Sequence, residues 1–183
     1  MSRALVERAQ QGDREAYEEL ALGVTRQLYL VAARIVRDPD VAQDAVQQTL
    51  VAIWRDLPSL RDPDRFEAWA YRTVVRFCRA ASRRERRLGV KIVDLSESLA
   101  AANGGIDDID RRDQLERAFI GLSLDHRTVV VLHHYVGLSL GEIADILDVP
   151  YGTVGSRLHH AMRAMRATIQ AGDRTPVAGG QSA

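Results

Sequence analysis

Residues 137–166, GLSLGEIADILDVPYGTVGSRLHHAMRAMR, hold two helical patterns with almost no chain between them, so one helix must turn sharply into the next. Ser139 followed by Glu142 is a capping-box pattern and starts a helix through Ile143, Ala144, Ile146 and Leu147. Asp148 and Val149 break it. Pro150 suits the first turn of a second helix, where its missing N–H leaves no bond unmade. Val154, Leu158, Met162 and Met165 then repeat at helical spacing and give that second helix a single apolar stripe. Its other face carries Thr153, Ser156, Arg157, His159, His160 and Arg163. A packed back with short hydroxyl donors and arginines in front is what a helix entering a DNA major groove requires. An ordinary helical hairpin with a wet face is the bland alternative, and the Gly152, Thr153, Val154, Ser156, Arg157 combination weighs against it.

Upstream the same period recurs. Leu5 to Gln11 reads as a short helix closed by Gly12, and Asp13 can cap a longer one carrying Tyr17, Leu20, Val24, Leu28, Val31 and Ile35 up to Asp38 and Pro39. A third helix starts near Asp40, its inner stripe Ala42, Ala45, Val46, Thr49, Leu50, Ile53, Trp54 and Leu57. Asp44, Gln47, Gln48 and Val51 fall off that stripe and should face outward. Asp64 can cap a fourth helix to about Arg87, with Phe66, Trp69, Ala70, Thr73, Val74, Phe77 and Ala81 inside. Phe66 and Trp69 could stack on unpaired bases, although their register favours the core; Tyr71 is expected to be the more exposed aromatic.

Formal net charge is zero, but the charges are segregated. Residues 1–87 hold 16 Arg against 13 Asp and Glu, residues 88–110 one Lys against five acids, and residues 111–183 eight Arg against seven acids. Arg72, Arg76, Arg79 and Arg83 form a ridge along the fourth helix, continued by Arg84, Arg86 and Arg87, with only Glu85 of opposite sign nearby in sequence. Like charges along one helix face repel, and a polyanion would relieve them. A solvated charged face normally mixes signs.

The pattern lapses over residues 88–109, which are acidic and include Gly104 and Gly105, and this predicts a flexible linker. Leu115, Ala118, Phe119 and Leu122 make the next helix, and Asp125 can cap another through Val136 to Gly137. The expected architecture is therefore all-α: two small helical domains (1–87 and 110–170) joined by the linker, the second containing the helix-turn-helix, with a disordered tail at 171–183. No apolar run approaches the ~20 residues needed to span a bilayer. The opening MSRALVERAQQGDREAY lacks the apolar middle of a signal peptide, which predicts a cytoplasmic protein. Cys78 is the only cysteine. Adjacent histidines (His133 with His134, His159 with His160) point about 100° apart on a helix and cannot chelate together, although His133 and His160 could meet across helices. No thiolate or carboxylate completes a set, so no metal and no cofactor is expected. Glycine-rich phosphate loops, HExxH and nucleophile elbows are absent from the sequence, so no catalytic residues are assigned.

Taken together, the two halves resemble the extracytoplasmic-function sigma factors, two-domain members of the sigma-70 superfamily. The resemblance spans about residues 5–167. It rests on DAVQQTLVAIW (Asp44 to Trp54), WAYR (Trp69 to Arg72), Arg127, GLSLGEIADILDVP and GTVGSRL (Gly152 to Leu158). It implies a subunit that binds core RNA polymerase and directs promoter recognition, rather than a stand-alone helix-turn-helix regulator. By the same resemblance, Asp44, Gln47, Gln48 and Val51 would dock on the β′ clamp coiled coil. Arg72, Arg76, Arg79, Arg83, Arg84 and Arg87 would engage the minus-ten element and its melted strand. Thr153, Ser156, Arg157, His159, His160 and Arg163 would read the double-stranded minus-thirty-five element, and the usual regulator would be an anti-sigma factor. The chain departs from the family where Arg76 replaces a common asparagine. It departs again where Gly155, His160 and Met162 stand at places often basic in relatives.

Overall fold

Several helix starts are fixed by a short polar side chain that takes up otherwise unpaired backbone N–H groups. Ser2 accepts from Leu5 N and opens α1 (Arg3–Gln10), and Asp13 accepts from Ala16 N and opens α2 (Arg14–Val36). Arg37 ends α2 in the left-handed region at φ 62°. Asp38 then accepts from Asp40 N and Val41 N, with Pro39 as the first residue of α3 (Pro39–Asp56). Two 3₁₀ turns, Leu57–Ser59 and Pro63–Arg65, lead into α4 (Phe66–Leu88). The remaining helices are α5 (Ile106–Ile120), α6 (Leu124–Val130) with a π turn over Val131–Tyr135, α7 (Leu140–Leu147) and α8 (Tyr151–Asp173). This computed structural model describes residues 1–88 and 106–173, and side chains over 1–84 and 111–171. Every regular element among the described residues is helical. Most of the expected linker, most of the expected tail and the side chains of Glu85, Arg86 and Arg87 lie outside the described residues.

The first core lies where α1, α3 and α4 pack on α2. Leu20, Leu28, Val31, Ile35, Ile53, Phe66 and Val74 are all at most 2% exposed, and full burial of each such side chain contributes roughly 1.5–3 kcal/mol. Thr49 and Thr73, the polar members of the stripes, satisfy their hydroxyls on carbonyls one turn back, Ala45 O at 2.7 Å and Trp69 O at 2.9 Å. A smaller core of Ala118, Leu122, Val130, Ala161 and Met165 joins α5, α6 and α8.

The two halves are packed on each other. α4 contacts α7, while α2 contacts α6 and the π turn, and Val129, Val131, Leu132, Ile143, Ile146 and Leu147 belong to the same buried cluster as the α2 and α4 residues. Arg127, 4% exposed, pushes its guanidinium into this seam and donates from Nε to Ile35 O at 2.8 Å, one of the carbonyls that the end of α2 leaves without a helical partner. Burial, followed by repulsion from Arg37, lowers its pKa to about 10.

Several sequence expectations are corrected. Trp54 is 54% exposed, at the border of the α3 stripe, with its ring edge-on to Tyr17 at 4.5 Å. Leu115 is likewise exposed. Tyr71 is half-buried, its hydroxyl pushed up in pKa by that burial, so it is not the exposed aromatic of α4. Asp64 caps no helix: Asp62 accepts from Asp64 N, while the Asp64 carboxylate pairs with Arg3 at 2.6 Å. Ser123, not Asp125, caps α6 by accepting from His126 N. α5 already runs at Ile106, inside the stretch read as linker, and α8 continues three residues past Gln170.

Candidate nucleic-acid and polymerase interfaces

The turn between α7 and α8 is built from local chemistry. Ser139 Oγ accepts from Glu142 N at 3.3 Å and Glu142 Oε2 accepts from Ser139 N at 2.8 Å, the reciprocal pair that the spacing predicts. Those bonds hold the Glu142 carboxyl below its ordinary pKa, the Ser139 hydroxyl contributing most. Gly137, at φ 88°, lets the chain leave the π turn, and Asp148, left-handed at φ 54°, ends α7. Pro150 O then accepts from Thr153 N at 2.9 Å and from Val154 N at 3.3 Å, which starts α8. Val154, Ala161 and Met165 are buried, with Leu158 and Met162 partly so. Ser156, His159, His160 and Arg163 are exposed, and Thr153 is half-buried.

Arg157 is different. Its side chain is only 22% exposed, Nη2 lies 3.0 Å from Asp125 Oδ2, and Nη1 is buried with no hydrogen-bond partner. The same Asp125 carboxylate takes Arg79 of α4 at 2.8 Å on Oδ1. The ridge on α4 is therefore opposed in space, although sequence shows no acid near it except Glu85. Arg72 donates to Asp145 O, and Arg65 reaches the Asp145 carboxylate at 3.2 Å. Arg76, Arg83 and Arg84 remain exposed, Arg76 with its guanidinium 5.2 Å from the centre of the Phe77 ring. Between ridge and α7 lies a cleft of about 330 Å³ lined by Arg72, Val75, Arg76, Arg79, Arg83, Ile146, Leu147 and Asp148.

On α3, Asp44, Gln47, Gln48 and Val51 are all exposed, Val51 to 65%. Trp54 extends this strip by one more turn, since 44, 47, 51 and 54 share a helix face. That spacing was readable in the sequence, but Trp54 fits the inner stripe equally well. The described residues contain no group of three or more His, Cys, Asp or Glu able to hold a metal. His133 Nδ1 lies 2.8 Å from Leu138 O, while the His160 ring stacks at 6.5 Å on His126. Buried Cys78 has its thiol pushed up to about 12 by desolvation.

Residues 22–88, from within α2 to the end of α4, match Sigma-70 region 2, and residues 112–165 match Sigma-70, region 4. The ECF RNA polymerase sigma factor SigL of Mycobacterium tuberculosis is 33% identical over 147 residues, 78% of this chain and 82% of SigL. The chain belongs to the ECF RNA polymerase sigma factors. The ECF RNA polymerase sigma-E factor of Escherichia coli is 30% identical over 180 residues, covering 91% of this sigma factor and 93% of its own length. Among solved structures, the sigma factor RpoE in complex with the anti-sigma factor NepR from Bartonella quintana superimposes with a TM-score of 0.64, with 26% identity over 84% of this chain and 96% of that one. Membership makes this protein a transcription initiation factor of RNA polymerase and accounts for both halves. A stand-alone helix-turn-helix regulator would leave the region 2 match without a role.

Proposed function

We propose that this sigma factor divides its work among three surfaces. The strip Asp44, Gln47, Gln48 and Val51, extended by Trp54, docks on the β′ clamp coiled coil of core RNA polymerase. Arg72, Arg76, Arg79, Arg83, Arg84 and Arg87 engage the minus-ten element and its melted strand. Thr153, Ser156, Arg157, His159, His160 and Arg163 face the minus-thirty-five duplex. Residues 1–87 and 110–170 act as the two functional units, with 88–109 connecting them and 171–183 as a tail. The protein itself catalyses no reaction and works in the cytoplasm; no helix among the described residues is long and apolar enough to cross a membrane.

The observation that carries this reading is the presence of two arginine-bearing faces, on α4 and on α8, in the two separate stretches that match sigma regions 2 and 4. RpoE is seen with an anti-sigma factor, and this supports a similar partner here. An apolar groove of about 470 Å³ between α2, α5, the π turn and α8, with Leu115, Phe119, Tyr135 and Met162 in its walls and Arg34 and Arg112 also lining it, suits an amphipathic helix with acidic flanks.

Competition for core polymerase against a labelled sigma factor tests the first surface. Gln47→Ala with Val51→Ala should weaken core binding by about tenfold, the loss expected for central interface positions, without changing helical content. For the second surface, Arg76→Ala and Arg83→Ala should each lower the salt slope of single-strand binding by about 0.7. Unchanged core affinity and unchanged slopes would remove the assignments.

A further inference from the structure

We propose that Asp125 is an internal stand-in for a DNA phosphate, which latches the two DNA-facing surfaces of the free chain onto each other. The proposal rests on the reading of α4 and α8 as those surfaces. One carboxylate takes both arginines, Arg79 from the ridge at 2.8 Å and Arg157 from the recognition helix at 3.0 Å. Neither arginine can give the same donors to a phosphate while it is held there. Asp125 does not cap its own helix, a role that belongs to Ser123, so its carboxylate is free for this contact.

The seat is imperfect in an informative way. Arg157 binds Asp125 through Nη2 alone, and its Nη1 is buried without an acceptor. A guanidinium fork is made for two parallel bonds to a carboxylate or phosphate. Half of that capacity is unused in the closed form, which favours exchange of the carboxylate for a phosphate with more oxygens. The latch also lies beside an apolar seam: Val75 and Cys78 of α4 are buried in one cluster with Ile146 and Leu147 of α7. The Asp125 side chain is 41% exposed, so its two ion pairs are screened and worth a few-fold rather than orders of magnitude. Asp44, Gln47, Gln48 and Val51 remain exposed in the closed form. Polymerase can thus dock on α3 first and separate the halves afterwards. Free in solution, the chain binds DNA with an affinity lowered by its small open fraction.

The test uses the full-length chain as wild type, Asp125→Ala and Asp125→Asn, with Asp145→Asn as control, because among the described residues the Asp145 carboxylate pairs with the exposed Arg65 alone. Three quantities are read: the distance between dyes placed on α3 and α5, the affinity of the free chain for a random-sequence duplex at low salt, and run-off transcription with core polymerase. Both Asp125 variants should lengthen the mean distance and bind the duplex about three- to tenfold more tightly, while Asp145→Asn changes either by less than about twofold. Run-off yield should stay at the wild-type level. Asp125 variants that keep the wild-type distance overturn the latch. Variants that open without gaining duplex affinity overturn the phosphate mimicry. Failure of wild type to direct run-off transcription would strike the sigma reading instead, and the dye distance would still judge the latch.

Discussion

Gly155 offers a perturbation whose effects on folding and on DNA can be separated. It lies inside α8, the helix proposed to face the minus-thirty-five element, and a Cβ built there meets nothing within 4 Å. Its φ is ordinary for an L residue, since the positive-φ glycines are Gly12 and Gly137. Gly155→Ala should therefore stabilise the chain by about 0.8–1 kcal/mol through helix propensity alone. For a chain of this size that raises Tm by about 2–4 °C, with an unchanged denaturant m-value. Gly155→Arg should recover most of the same gain, because arginine is nearly as good a helix former as alanine. It also adds one cation to the proposed DNA face. If that cation meets a phosphate, the salt slope of holoenzyme binding to a promoter fragment steepens by about 0.9 relative to Gly155→Ala. Tripling the salt should then weaken the arginine variant by about 2.7-fold more than the alanine variant. Urea melts and a salt titration of fluorescence anisotropy read both quantities. Equal slopes for the two variants would show that this face of α8 does not lie on the duplex, and a destabilised Gly155→Ala would refute the helix reasoning.

Three further outcomes are expected. Phe66, 1% exposed where α4 begins, should cost about 3–5 kcal/mol when cut to alanine, measured by urea unfolding. Cys78, fully buried with its thiol pushed up to about 12, should resist a thiol reagent at neutral pH in the native protein and react at the rate of unfolding. Asp13, held down mainly by the Ala16 N–H and then by Arg8, and Glu142, held down by Ser139, both have depressed folded pKa values. Their contribution is present above the ordinary values of 3.8 and 4.5 and is lost as pH falls through the lower folded values. Asp13→Asn with Glu142→Gln should therefore flatten the fall of stability with acid, followed by circular dichroism, and an unaltered acid profile would count against those caps.

What was legible in the sequence was local. The capping box at Ser139 and Glu142, the cap at Asp13, the helix break at Asp148 and the outward strip on α3 all depend on residues within one or two turns of each other. Trp54 escaped because it stands at the edge between two faces, where period alone cannot choose. Tyr71 was misplaced because the α2 surface that covers it is distant in sequence. The pairing of the ridge with Asp125 and Asp145 was invisible for the same reason: Arg79 and Asp125 are 46 positions apart, and Arg72 and Asp145 are 73. Arg127 stood in the family motif, yet nothing in its neighbourhood marks it as the side chain that caps the end of α2 from the other half of the molecule. The π turn after α6 has no compositional signature in VLHHY.

Promoter-directed initiation is the most direct test of the whole. The purified chain is mixed with bacterial core RNA polymerase and fragmented genomic DNA, and the 5′ ends of the transcripts are mapped. Starts should cluster downstream of a shared pair of sequence elements, absent with core alone, and should fade when Arg76 and Arg83 are both replaced by alanine. Transcripts with the same scattered ends in the presence and absence of the chain would contradict it.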